Sequence, residues 1–222
     1  MERDYHLTMA TCDHTYIFTV GYMFKNNNIT ISITEEKENY FIGNYTYESE
    51  ARFGSSEKSE GIFLVDKKSS LIGLTTIKDR PKPDTIIRDL NKSPAFEFKA
   101  PKILPENQHK LFDKYNGHGI KFCEDQSTYE LGGGIYRTID PEDRAKDIAM
   151  SEPYKQISDD LIEEVIADLI DNNLYIKRMD FSLSDDLIIS YGEPISFYSI
   201  SKEYINNNGW DEFLHMSRNL VA

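Results

Sequence analysis

The sequence predicts an α+β fold: an antiparallel, β-rich N-terminal part built of meander and hairpins, then amphipathic helices and a further hairpin in the C-terminal part. Three observations carry this. Between Tyr5 and Lys99 apolar residues recur mostly at every second position, the period of half-buried strands. From Ser158 to Asn173 they recur at about 100° per residue, so Leu161, Ile162, Val165, Ile166, Leu169 and Ile170 share one side of a helix. Trp210, Phe213, Leu214, Ser217 and Leu220 keep the spacing of a closing amphipathic helix.

In chain order, Tyr16, Phe18, Val20, Tyr22 and Phe24 alternate with Ile17, Thr19, Gly21 and Met23, and Ile29, Ile31 and Ile33 alternate with Thr30, Ser32 and Thr34. Asn26, Asn27 and Asn28 lie between them, and asparagine tolerates the left-handed backbone of tight turns, so this is read as a hairpin. Further strands are expected at Tyr40 to Tyr47, Gly61 to Val65 and Leu71 to Ile77, with Asp66 to Ser70 as a turn. Arg80, Pro81, Lys82 and Pro83 break the pattern, because proline lacks the ladder donor. Lys78, Arg80, Lys82, Arg88, Lys92, Lys99 and Lys102 make this stretch basic, and these side chains are expected to meet acidic residues later in the chain.

The chain is read as one α+β domain over 1–222, with a division near 100–116 between a β-rich part (1–100) and an acidic α+β part (117–222). Glu106 to Tyr115 forms a short helix with Leu111, Phe112 and Tyr115 inward, and Ile120 to Cys123 and Thr128 to Leu131 are short strands. Gly132, Gly133 and Gly134 join extended pieces and lack the Lys and Ser or Thr of a phosphate loop, so they read as a turn or bulge. Asp140 and Pro141 start a polar helix to about Met150. Leu174 to Phe181 and Leu187 to Tyr191 form the second hairpin. Ile195 to Ile200 is one more strand, Ser201 caps a short helix, and Asn206 to Gly209 interrupts it.

Charge is distributed unevenly. The total is −13, but residues 1–111 hold 15 basic and 16 acidic side chains whereas 112–222 hold 10 and 22. On the 158–173 helix, Asp160, Glu163, Glu164, Asp168 and Asp171 occupy the side opposite the apolar stripe, with Asp159 at its edge and no Lys or Arg on the helix. Asp168 and Asp171 fall at the negative end of the helix dipole, where each is unfavourable by a few tenths of a kcal/mol at an exposed site, about 0.3 or more. Something other than helix stability is then expected to keep them there. Phosphate binding requires a basic footprint, so nucleic acid is excluded as a direct ligand and a basic protein partner is expected.

Two cysteines, Cys12 and Cys123, are too few for a disulfide scaffold and carry no nucleophile signature. No basic segment precedes an apolar run at the N-terminus, and Tyr16 to Phe24 is too short and too interrupted for a membrane span. A cytoplasmic protein with no membrane partner is expected. His6, His14, His109, His118 and His215 show no metal-ligand spacing, and no dinucleotide fingerprint is present, so neither metal nor cofactor is expected.

One pattern points to an alternative. His6, Leu7, Thr8 near the start and His215, Met216, Ser217 near the end each resemble the His-x-Thr/Ser element of the 2H phosphoesterases. That resemblance implies histidines as acid and base and hydroxyls holding phosphate oxygens, here His6, Thr8, His215 and Ser217. The second copy departs from the family in lying on a helical pattern. The leading expectation is non-enzymatic: an inhibitor, immunity or anti-defence protein that covers a basic, nucleic-acid-handling partner through Asp160, Glu163, Glu164, Asp168 and Asp171. A structural or assembly subunit is the third reading.

Overall fold

The computed structural model describes residues 4–26, 28–49, 57–77, 83–93, 96–115, 118–123, 175–184, 187–192 and 195–221. The fold is α+β and its strands are mostly antiparallel, as expected. The strands, in chain order, are β1 (Tyr5–Cys12), β2 (Met23–Lys25), β3 (Ile29–Glu36), β4 (Tyr40–Ser49), β5 (Glu57–Asp66), β6 (Leu71–Thr76), β7 (Phe98–Lys99), β8 (His118–Cys123), β9 (Tyr175–Ser184), β10 (Leu187–Gly192) and β11 (Ser196–Ile200). The helices are α1 (Pro83–Leu90), α2 (Pro105–Tyr115), α3 (Lys202–Asn208) and α4 (Asp211–Leu220). The expected helix over 158–173, the Gly132 to Gly134 turn, the 128–131 strand and the 140–150 helix lie outside the described residues.

Two compact units emerge. The first takes Met1–Pro101, Pro194–Ser196 and Ile200–Arg218; the second takes Lys102–Glu193, Phe197–Ser199 and Asn219–Ala222.

In the first unit the sheet runs β2-β3-β4-β5-β6-β1, with β7 also paired to β1. One face buries Ala10, Ile31, Ile33, Phe63, Ile72 and Leu74 under Ile86 and Leu90 of α1 and under Phe96 and Phe98. Helix α1 was not expected from the sequence, although Pro83 at its first position and the Ile86, Ile87, Leu90 spacing are its signals. Alternation along β1 and β5 sends Tyr5, Leu7, Met9, Leu64 and Asp66 to the other face. Helix α4 covers that face: Trp210 meets Tyr5 edge-on at 5.5 Å, and Arg218 Nε lies 3.5 Å from Asp66 Oδ2. Asn39 donates to Asp211 at 2.9 Å.

The first hairpin is shorter than its alternation implied. Thr15–Ile17 is a 3-10 turn, and only Met23–Lys25 pairs with β3. Gly21 adopts φ 87°, a left-handed setting that breaks an extended strand and that glycine takes without steric penalty. Phe18, Tyr22 and Phe24 still reach the core, where Phe18 stacks on Phe96 at 5.6 Å. The asparagine turn is present: Asn26 Oδ1 accepts the backbone N–H groups of Asn28 and Ile29 at 3.0 and 2.8 Å.

In the second unit β9 pairs with β10 and β8, giving the expected C-terminal hairpin. Met179, Phe181, Ile189 and Tyr191 are buried with Leu111 and Tyr115 of α2, and Tyr115 packs on Phe181 at 5.5 Å. Gln108 donates to the Tyr191 hydroxyl at 3.3 Å. In the first unit, Ser201 caps α3 by accepting the Tyr204 N–H, as its sequence predicts.

Candidate functional site

Asp160, Glu163, Glu164, Asp168 and Asp171 lie outside the described residues. The disposition of the other charges bears on them. Lys37 pairs with Glu35 at 2.7 Å, Lys67 with Glu36 at 2.5 Å, Lys92 with Asp89 at 2.6 Å, and Lys99 with Glu97 at 3.0 Å and Asp13 at 3.8 Å. All these carboxylates belong to the first 111 residues. The expectation that the basic stretch meets the acidic half is therefore corrected for Lys92 and Lys99. Lys92 follows Asp89 by three residues at the end of α1, and the β1–β7 pairing brings Asp13 to Lys99, so the partners are local. Arg218, from the acidic half, reaches the other way, to Asp66.

The buried Asp89 anchors α1 to the β3–β4 hairpin. Its Oδ2 accepts the Tyr47 hydroxyl at 2.5 Å and the Asn28 amide at 3.3 Å. Burial alone would raise the Asp89 carboxyl, but hydrogen bonds from Lys92, Tyr47 and Asn28 outweigh it and hold the group below its usual range. Burial first, and then the bond to Asp89, push the Tyr47 phenol up to about 12. This cluster is an internal clamp. Its carboxylate is buried and committed to these donors.

The four residues of the hydrolytic alternative are placed as follows. His6 and Thr8 share one face of β1, His6 half-buried and Thr8 buried, and the Thr8 hydroxyl is 3.1 Å from that of Ser196. On α4, His215 is exposed and Ser217 fully buried, its hydroxyl donating to the Phe213 carbonyl at 2.7 Å. Two residues along a helix is about 200°, so α4 points His215 and Ser217 to opposite sides and does not bring them to a shared phosphate.

A second row of polar residues, missed in the sequence, crosses the second unit. The register sets Asp180 of β9 directly opposite Ser190 of β10 and His118 of β8. Ser190 donates to Asp180 Oδ1 at 2.5 Å. A nucleophilic serine would instead donate to a histidine, so Ser190 is committed to orienting or stabilising the carboxylate. One step along, Arg178 lies opposite Gly192 on one side and Lys121 on the other. Arg178 is exposed. The Tyr198 ring lies over Gly192, with Cε2 2.8 Å from where a β-carbon would stand. Ser199 sits at φ 63°, and this break in the pleat leaves Tyr198 and Ser199 exposed in succession instead of alternating. The one sequence signal for this region is that Lys177 and Arg178 are the only adjacent basic pair after residue 111.

An exposed apolar corner belongs to the first unit. Tyr16 is 77% exposed, Met23 70% and Val20 51%. Met23 lies on β2, the outer strand of that unit's sheet, with Lys25 two residues on. Among the described residues no group of three or more His, Cys, Asp or Glu is placed to hold a metal ion. No helix among them is long and apolar enough to cross a membrane. Cys12 is buried, and burial pushes its thiol up, away from a reactive thiolate. No protein-family model matches the chain, and no curated protein matches it.

Proposed function

We propose that the chain is a non-enzymatic protein-binding protein of the inhibitor, immunity or anti-defence kind, which acts in the cytoplasm. Its acidic second half covers a basic surface that a partner protein uses to handle nucleic acid. The observation that carries this reading is how the first half disposes of its charge. Lys37, Lys67, Lys92 and Lys99 are each matched by carboxylates of the same half, whereas residues 112–222 hold 22 acidic against 10 basic side chains. Arg218, one of those ten, is drawn to Asp66. An acidic surplus of this size accelerates encounter with a positive surface and competes with phosphate for it.

The test is charge reversal. Asp160, Glu163 and Asp168 are changed together to Lys, and affinity is measured at low and moderate salt for the basic protein that the unmodified chain retains from its native cell. Affinity should fall by roughly tenfold or more at low salt, and the salt dependence should flatten. Equal affinity of the two proteins would refute the role of this face.

A further inference from the structure

Part of one sheet face in the first unit is left bare. Helix α4 covers the portion that carries Leu7, Met9 and Leu64, whereas the same face continues outward over β5, β4, β3 and β2. Two rows of residues cross this outer portion, and no register shift interrupts either. Met23, Ser32, Asn44 and Ile62 make one row; Lys25, Thr30, Thr46 and Glu60 make the other. Directly opposed residues project to the same side of a sheet, and strand alternation puts these on the side away from the buried Ile31, Tyr45 and Phe63. Met23, Lys25, Asn44, Thr46 and Glu60 are exposed, and Thr30, Ser32 and Ile62 are half-buried.

Each row is its own complement when reversed. Lys25 and Glu60 stand at opposite ends of one row with two strands between them, about 14 Å apart at the usual strand spacing. Among the described residues neither enters an ion pair. Only the hydroxyls of Thr30 and Thr46 lie between them, and the other row has apolar Met23 and Ile62 at its ends around Ser32 and Asn44. Consider two such faces related by a two-fold axis that runs along the strands between β3 and β4. Lys25 of each copy then meets Glu60 of the other, Met23 meets Ile62, and Thr30 and Ser32 meet Thr46 and Asn44. The short central side chains let two sheets approach to the roughly 10 Å of face-to-face packing. Overall repulsion does not oppose this contact strongly, because the acidic surplus lies in 112–222 and the first 111 residues hold 15 basic against 16 acidic side chains.

We propose that this face docks a second copy of the chain, the two held by reciprocal Lys25–Glu60 pairs around a polar centre. The patch is small, and interfaces below about 1,200 Å² of total buried surface belong to the weak, transient class, so the product is a reversible dimer. One exposed ion pair contributes little by itself, but the symmetry makes each pair occur twice, and reversing either charge opposes like charges twice. The surface is distinct from the acidic helix positions and needs none of them.

The experiment is sedimentation equilibrium of the full chain from about 10 μM to about 1 mM, at roughly 0.15 M salt. The parent should pass from the mass of one chain to that of two across this range. Lys25→Glu and Glu60→Lys should each weaken association tenfold or more. These two changes shift the net charge in opposite directions, so a weakening common to both cannot come from overall repulsion. Lys25→Glu combined with Glu60→Lys should recover the parent affinity to within about threefold, because the pairs re-form with their signs exchanged. Thr46→Arg, which places a cation at the centre, should abolish the dimer. Lys25, Thr46 and Glu60 are exposed, so every variant should fold, and circular dichroism checks that each does. A parent that stays monomeric over the whole range, a dimer as tight in either folded single reversal, or a double variant no tighter than the singles would overturn the proposal.

Discussion

The Tyr45 hydroxyl donates to the Thr75 carbonyl at 2.6 Å, reaching across the strand that separates them. Gly61, paired with Tyr45 in the β4–β5 register, makes the crossing possible, since a β-carbon there would stand 2.2 Å from the same carbonyl oxygen. The β5–β6 pairing runs from Val65 back to Phe63, and beyond it the Thr75 hydroxyl accepts the Ile62 N–H at 2.8 Å. Side chains thus take over where the backbone ladder opens. Tyr45→Phe should cost about 1–3 kcal/mol by leaving a buried carbonyl short of a donor. Gly61→Ala should cost at least as much. Urea denaturation checks both, and a Tyr45→Phe protein as stable as the parent would show that water serves the carbonyl equally well.

The Asp89 clamp predicts an acid limb. A carboxyl whose folded pKa is depressed binds fewer protons folded than unfolded, so its contribution is complete above about pH 4 and is lost as pH falls through the folded value. Asp89→Asn should lower stability at neutral pH by about 1–3 kcal/mol and flatten the dependence below pH about 4. An unchanged acid slope in that variant would remove Asp89 from the explanation.

Tyr47 predicts the alkaline limb with the opposite group chemistry. With the phenol raised to about 12, the unfolded chain releases a proton between about pH 10 and 12 that the folded chain keeps, and stability falls as pH rises. Tyr47→Phe should be less sensitive across that window, as measured by denaturation at fixed pH values.

Asp66 and Arg218 predict how firmly α4 is held. The Asp66 side chain is fully buried, and it also accepts the Lys68 N–H at 3.3 Å and the Ser69 hydroxyl at 2.5 Å. Arg218→Met should cost about 1–3 kcal/mol, because the turn bonds remain but a buried carboxylate loses its cation. Asp66→Asn combined with Arg218→Met should cost less than the sum of the separate changes. Strict additivity in that double-mutant cycle would mean the two side chains do not act together.

Much of the fold was legible because strand and helix periods are local. The β3 and β4 alternations, the apolar run of β6, the Asn26 turn, the Ser201 cap and the Trp210 to Leu220 stripe are all set by near neighbours in the chain. The strand expected from Tyr16 failed at Gly21, where one residue's left-handed setting undid a clean alternation. Helix α1 starts at Pro83, and a proline that ends a strand pattern serves equally as a first helical residue. The Arg178, Gly192 and Tyr198 grouping could not be read in advance, since it depends on which residues of three strands fall opposite one another, and register is fixed by tertiary burial. The carboxylates proposed to meet a partner rest on a helical pattern alone, while the ion pairs of Lys92 and Lys99 depend on the β1–β7 pairing and the end of α1.

The exposed corner predicts a liability. Strand β2 leaves one side of its backbone without a described strand neighbour, beside Tyr16 and Met23, and Lys25 is the charge that guards it. Lys25→Ile should raise light scattering at high concentration without lowering the unfolding midpoint in urea. No change in scattering would mean that the edge is already protected.

Because the first unit is closed by Ile200–Arg218, its sheet emerges from the ribosome long before its cover. At about 5–20 residues per second, the face bearing Leu7, Met9 and Leu64 waits on the order of ten seconds for α4 to be synthesised. During translation that face lacks α4, and a nascent chain stalled before Trp210 leaves Tyr5 without its edge-on ring partner.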